Sequence, residues 1–248
     1  MNENLSAETF VNVIRHPNNV AVLRIDRPDR NALSTTVLAQ IQSAAEELAA
    51  EPPGAVVVWG GPELFSAGGD PSEFDHFDPE IGRRVSEAFH RANNALAAIP
   101  RATVAAITGV AAGGGLEVAL ACDFRVAATD ARLGQHEIGM GLFPGGGATQ
   151  RLPRLVGVSR AKELIYSGAL VSASEALRIG LVDKFVPAHT VLGAALDWAA
   201  TFATGAAAVR GSVKRVIDEG LDLSLEDGLR LERDHFSALF DDWHVSGA

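Results

Sequence analysis

Three stretches of this chain combine small backbone with an acid or a helix start, the two things a reaction at a carbonyl group needs. In Phe65-Ser66-Ala67-Gly68-Gly69-Asp70 the small residues let main-chain N–H groups come close to a ligand. In Gly113-Gly114-Gly115-Leu116-Glu117 the glycines run into a helix, where the first N–H groups are free and the dipole attracts developing negative charge. That is a setting for an oxyanion. Glu117 falls in the first helical turn, where a glutamate also serves simply to complement the dipole. Glu137 follows in Gly134-Gln135-His136-Glu137-Ile138-Gly139, where a lone glutamate reads as solvated. Brought together in one apolar cleft, two carboxylates hold and activate a water while one keeps its proton and acts as an acid.

Other chemistries fit the residues poorly. No Gly-x-Gly-x-x-Gly follows a strand, Phe143-Pro144-Gly145-Gly146-Gly147 lacks the Gly-Lys-Ser/Thr of a P-loop, and Ser66 has no Gly-x-Ser-x-Gly context. His136 has no second histidine or cysteine at metal-ligand spacing, so no metal is expected. The single cysteine, Cys122, ends the apolar run Val118-Ala119-Leu120-Ala121-Cys122 and reads as a small core residue. With 31 acidic against 21 basic residues, the net charge of −10 repels phosphate backbones and anionic membrane surfaces, so neither a nucleic acid nor a membrane is expected as partner. No uninterrupted apolar stretch approaches the ~20 residues of a membrane span. Residues 1–9 are polar and acidic, without the basic and apolar regions of a signal peptide, and a cytoplasmic location is expected.

The elements that must position these residues follow from periodicity and turn chemistry. Residues 10–15 and 20–25 read as strands joined through Pro17-Asn18-Asn19, a hairpin. Ser34 caps a helix with apolar positions Val37, Leu38, Ile41, Ala45 and Leu48, which Pro52-Pro53-Gly54 ends before a buried strand over 55–59. Asp78 and Pro79 start the next helix, with Ile81, Val85, Phe89, Leu96 and Ile99 on its apolar face, and a strand over 103–107 follows Pro100. The glycine turn at 113–115 leads into a short helix through Leu120, and 123–128 reads as a strand. Alternation of this kind predicts an α/β architecture in one domain. From about Gly147 the pattern is helical, with segments near 149–156, 160–167, 172–179, 189–203, 207–218 and 225–239. Ser172 and Glu175 have the spacing of a capping box.

Taken together, residues 65–70, 107–123 and 134–152, the last including Pro144-Gly145-Gly146-Gly147-Ala148-Thr149-Gln150-Arg151-Leu152, resemble the crotonase (enoyl-CoA hydratase/isomerase) superfamily in order and spacing. The resemblance runs from about residue 10 to 240. It implies a spiral of repeated strand-strand-helix units over residues 1–190 and a helical C-terminal region over 191–248 used for trimerisation, giving a homotrimer or a dimer of trimers. It also implies an acyl-coenzyme A thioester as substrate, with no permanently bound cofactor beyond the coenzyme A that the substrate carries. A polyanion of that kind would need a local cluster of donors or cations, set against the chain's overall negative field.

By position, the resemblance matches the backbone N–H groups of Gly69 and Gly114 to the oxyanion hole, with Gly69 in place of the more usual alanine. It matches Glu117 and Glu137 to the two glutamates of hydratases, and Ala67, Gly68, Gly69, Asp70, Gly114 and Arg30 to positions lining coenzyme A. The expected reaction is hydration of a 2-enoyl-CoA, with Glu117 deprotonating the water and Glu137 supplying the α-carbon proton. Three departures accompany it. His136 stands where hydratases usually carry proline, the segment Arg27-Pro28-Asp29-Arg30-Asn31-Ala32-Leu33 is one residue shorter than the common loop, and the chain ends at Asp242-Trp243-His244-Val245-Ser246-Gly247-Ala248, where relatives usually continue into a basic, aromatic segment. Two alternatives belong to the same pocket, an isomerase moving the double bond through Glu137 alone and a catalytically silent acyl-CoA binder. RNA binding, known from some relatives, wants a basic helix face, and these helices are acidic.

Overall fold

Asn19 turns the chain back on itself in the left-handed region (φ 62°), and the His16 N–H donates to the Val20 carbonyl at 2.9 Å. The hairpin so closed opens a computed structural model that describes residues 8–74 and 78–243. The leader reading of residues 1–9 and the chain end at 244–248 lie wholly or mostly outside the described residues. Strands β1 (Val11–Arg15) and β2 (Val20–Ile25) pair antiparallel, with Val11 opposite Ile25. A tight turn, α1 (Pro28–Asn31), then carries Asp29, Arg30 and Asn31 through the left-handed region in succession.

Helix α2 (Thr35–Ala50) starts where Ser34 Oγ accepts from the Val37 N–H, and it buries the predicted face of Val37, Leu38, Ile41, Ala45 and Leu48. Strand β3 (Ala55–Trp59) follows, and its continuous apolar run reflects burial on both faces. Helix α3 (Pro79–Ala97) begins at Asp78, whose carboxylate caps the Glu80 N–H, and it ends two residues before Ile99, which is buried beyond the helix. The chain continues through β4 (Ala102–Ile107), β5 (Val110–Ala112), α4 (Gly114–Leu120), β6 (Phe124–Ala128) and β7 (Arg132–Gly134). Then come α5 (Ala148–Val156), α6 (Val158–Ser167), β8 (Val171–Ser172), α7 (Ala173–Arg178), β9 (Lys184–Val186), α8 (Val191–Ala203), α9 (Ala207–Gly220) and α10 (Leu225–Trp243).

Two sheets organise these elements. A six-stranded sheet has the order β1-β2-β3-β4-β6-β9, parallel throughout from β2 onward. A smaller sheet, β5-β7-β8, is extended by parallel bridges between Ser66 and Ala111 and between Leu33 and Gly69. Each turn of the chain therefore lays one strand in the large sheet, one short extended piece in the small one, and then a helix. This is the spiral of strand-strand-helix units expected above. The strands of the small sheet, and β9 at the edge of the large one, are two or three residues long, too short for a period to register, and β5, β7, β8 and β9 are not separable in the sequence.

The stacking of the small sheet is what positions the chemistry. It sets residues 66–69 beside β5, whose last residue is followed directly by the Gly113 turn and the start of α4. At the C-terminal end, α8 packs on β3, β4 and β6 and belongs to the layer that covers the large sheet, whereas α9 and α10 pack chiefly on each other. Among the described residues no single helix is long and apolar enough to cross a membrane.

Candidate active site

The loop after β3 uses nearly all its hydrogen bonds to hold its own shape. Ser66 N–H donates to the Val110 carbonyl (3.0 Å), Ala67 N–H to the Arg30 carbonyl (3.1 Å) and Gly68 N–H to Ser66 Oγ (3.1 Å). Ser66 Oγ donates in turn to the Asn31 carbonyl at 2.8 Å, and the Asp70 N–H donates to the Leu33 carbonyl at 3.2 Å. Gly69 N–H has no acceptor among the described residues. Neither does Gly114 N–H, the first of α4, although Gly113 N–H beside it donates to the Gly134 carbonyl at 2.9 Å. The two free donors adjoin, since a Cβ on Gly114 would lie 3.4 Å from the Gly69 nitrogen.

Phe89 explains why Gly114 is glycine, for the same Cβ would meet the Phe89 ring at 2.5 Å. At Gly69, a Cβ would stand 3.1 Å from the Phe74 ring, so the aromatic side chain occupies the room an alanine would need. Two neighbouring main-chain N–H groups without an acceptor are the kind of donor an anionic oxygen requires.

Both glutamates lie near these glycines, Glu117 three residues along α4 from Gly114 and Glu137 against Gly113. Glu117, on the first turn of α4, is buried, and its Oε1 accepts from Gly146 N–H (2.8 Å) and Ala148 N–H (3.0 Å) at the start of α5. Burial pushes its carboxyl above the usual carboxylate range, against the pull of those N–H groups and of the Arg151 charge. Glu137 is half-buried, and its Oε1 lies 3.0 Å from where a Cβ on Gly113 would be. Burial pushes Glu137 up to about 7, with the Glu117 charge adding to the rise. The two carboxyls feel each other, so ionisation of Glu117 opposes ionisation of Glu137.

Several residues that the sequence reading did not single out support this pair. Gln135 is fully buried, and with its amide nitrogen turned to the carboxylate it donates to both Glu137 oxygens at 2.9 and 3.2 Å. Asn93, on the buried face of α3, donates to the Gly146 carbonyl at 2.9 Å and so steadies the loop that grips Glu117. Arg151 reaches from α5 to Asn94 Oδ1 at 2.7 Å. Asn31 donates to the carbonyls of Gly60 (2.6 Å) and Phe65 (3.1 Å), tying the α1 turn to the Gly69 loop. A buried polar residue within an apolar helical face, as at Asn93, was the one signal open to a reader of the sequence.

The positions expected to line coenzyme A divide into two kinds. Ala67 and Gly68 use their N–H groups within the loop, whereas those of Gly69 and Gly114 have no acceptor among the described residues. Asp70 instead turns its carboxylate to Arg27 (2.6 Å) and to Ser72 N–H and Oγ (3.0 and 2.8 Å). Burial would raise that carboxyl, but the bonds from Ser72 and Arg27 outweigh it and hold it below the usual range. Arg30 has an exposed side chain, and its carbonyl is what holds Ala67. Cys122 is buried, and its thiol is pushed up to about 12 by that burial, the state of a core residue and not of a nucleophile.

Residues 15–247 match the family described as enoyl-CoA hydratase/isomerase. The chain belongs to that family. It is 39% identical over 222 residues to a probable enoyl-CoA hydratase of Mycolicibacterium paratuberculosis, covering 89% of this chain and 86% of the relative. A probable enoyl-CoA hydratase of Mycobacterium tuberculosis is 38% identical over 236 residues, covering 93% and 90%. Among solved structures, DspI of Pseudomonas aeruginosa superposes with a TM-score of 0.90 at 35% identity, over 97% of this chain and 92% of that one. An enoyl-CoA hydratase of Bacillus anthracis gives 0.89 at 34%, over 94% and 92%. The crotonase-type spiral and the hydratase/isomerase class of enzyme follow for this chain. Within that class, the chain has both glutamates close to the two glycines whose N–H groups are free among the described residues.

Proposed function

We propose that this enoyl-CoA hydratase/isomerase family member is a hydratase that adds water across the double bond of a 2-enoyl-CoA thioester to give a 3-hydroxyacyl-CoA. The observation that carries the reading is the pair of coupled carboxyls, both raised above the usual range by burial, beside two unpaired N–H groups. Oxyanion donors alone serve any reaction that passes through an enolate. A second carboxylate becomes necessary when a water must also be held and deprotonated.

In this reading the thioester oxygen sits against Gly69 and Gly114 N–H, which stabilise it as electrons move from the β-carbon toward the carbonyl. Glu117, ionised and fixed by Gly146 and Ala148, takes a proton from the water as its oxygen bonds to C3. Glu137, in its protonated form, delivers its proton to C2. Coenzyme A enters and leaves as part of substrate and product, along the backbone of residues 67–69 and 114. The chain works as a homotrimer or dimer of trimers, a reading that the exposed apolar residues of α9 and α10 favour.

The test is the loss of the conjugated thioester absorbance of crotonyl-CoA and longer 2-enoyl-CoAs. Wild type should consume them, while Glu137→Gln and Glu117→Gln should each be slower by about a hundredfold or more. Near-full activity in either variant removes that residue from the mechanism. No consumption of any chain, with acyl-CoA still bound, overturns the hydratase reading.

A further inference from the structure

Glu117 is a buried carboxylate whose hydrogen-bond partners are the main-chain N–H groups of Gly146 and Ala148, and among the described residues no cation is in salt-bridge contact with it. Arg151, half-buried on the first turn of α5, is in the converse position. Its Nη2 donates to Asn94 Oδ1 at 2.7 Å and its Nη1 to the Gly146 carbonyl at 3.5 Å, and among the described residues no carboxylate is in contact with it. The two side chains meet at one turn. A Cβ on Gly146 would collide with Glu117 Oε2, and a Cβ on Gly147 would collide with Arg151 Nη1. A buried carboxylate is costly unless it is hydrogen-bonded and its charge is compensated. Lys214 and Arg154, which line the same cavity as Arg151, each hold an acid, Asp123 at 3.0 Å and Asp222 at 3.2 Å. His90 also lines that cavity, while His136 and Glu137 lie against Gly113.

We propose that Arg151 is a positioning residue whose guanidinium, anchored on Asn94 behind the Gly146–Gly147 turn, is the counter-charge of Glu117 and keeps that carboxylate ready to take a proton from water. The inference deepens the hydratase reading and rests on it. Burial raises the Glu117 carboxyl and lowers the Arg151 guanidinium, and each charge opposes the shift of the other. Glu137 acts in the opposite sense, since a second negative charge nearby disfavours ionisation. Arg151 therefore works through Glu117 alone and touches neither the reacting carbons nor the attacking water. Because its side chain lines a cavity of about 900 Å³, a shorter side chain in its place leaves room that water can fill.

Three variants of the full chain separate charge from shape. Arg151→Gln removes the charge, Arg151→Lys keeps it while losing the planar fork, and Asn94→Asp, at an exposed position, sets an acid against the guanidinium and neutralises it. In crotonyl-CoA hydration, Arg151→Gln should lower kcat about tenfold with KM little changed. The acidic limb of its kcat–pH profile should move up by about half a pH unit or more, because the base then ionises only at higher pH. Asn94→Asp should move the limb the same way, and Arg151→Lys should keep it near the wild-type position. A second readout needs no turnover: the titration of Glu117 by carbon-13 NMR of labelled glutamate carboxyls, its signal assigned by its loss in Glu117→Gln. Its midpoint should rise in Arg151→Gln and Asn94→Asp and stay in Arg151→Lys. An unmoved midpoint in Arg151→Gln, or an equal rise in Arg151→Lys, overturns the inference, and if Arg151→Gln fails to fold, an unmoved midpoint in Asn94→Asp does so. A wild type that hydrates no 2-enoyl-CoA, with the midpoints moving as expected, overturns the hydratase reading and leaves the counter-charge standing.

Discussion

A carboxyl whose proton leaves near pH 7 makes stability and activity depend on pH in the same range. Glu137 is raised from its ordinary 4.5 to about 7, so the folded state binds a proton that the unfolded chain has lost between those values. Stability is therefore greatest below the ordinary value and falls as pH rises through 7. Glu137→Gln removes that loss and, after allowing for solvent screening at a half-buried site, should raise Tm by roughly 2–4 °C at pH 8 and hardly at all at pH 4. Thermal melts at the two pH values check it. For the same reason kcat/KM of the wild type should fall above about pH 7, as Glu137 of the free enzyme loses the proton it donates. Glu137 and Glu117 were legible as residues because each stands beside glycines in a recognisable order. Their raised proton affinities were not, since burial and mutual distance belong to the folded chain.

At the scale of single elements, the site depends on loops that grip one another through side chains. Asn93 connects α3 to the Gly146 carbonyl, and Gly146 N–H holds Glu117, so Asn93→Ala should disturb Glu117 without touching substrate. The expected outcome is a fall in kcat of about tenfold with KM little altered, together with a stability loss of roughly 1–3 kcal/mol for the buried carbonyl left without its donor. Asn31 is the counterpart on the Gly69 side. Asn31→Gly would keep the left-handed backbone (φ 50°) and lose the bonds to Gly60 and Phe65. It should therefore cost about 2 kcal/mol or more in denaturant unfolding, and lower kcat as the Gly69 donor loosens. Helices α2 and α3 were readable to within a residue or two because their caps and apolar faces are local. The short strands of the small sheet were not, because two- and three-residue pieces gain their extended form from neighbours far along the chain.

For the molecule as a whole, α9 and α10 present Val213, Ile217, Leu221, Leu225, Leu229, Phe236 and Phe240 exposed, and a cavity of about 900 Å³ separates α9 from the far end of α4. An apolar face of that extent is costly in water and fits association of like subunits. Light scattering should give three or six times the mass of one chain, and Ile217→Lys with Leu229→Lys should shift the protein toward monomer. A wild type that runs as a monomer removes the trimer from the proposal.

Local order along the chain determined a good deal. Turn residues, caps and apolar periods placed the principal helices and the longer strands, and the three glycine-rich stretches carried the family, because these features act over a few residues and need no distant partner. Only the tertiary structure decided that the Gly69 and Gly114 N–H groups have no acceptor among the described residues, that Glu117 is held by the start of α5, and that Glu137 has His136 and Gln135 as neighbours. The reason is physical. Which donor stays unpaired and which carboxyl keeps its proton depend on every group within a few ångströms, and the spiral draws those groups from turns of the chain dozens of residues apart.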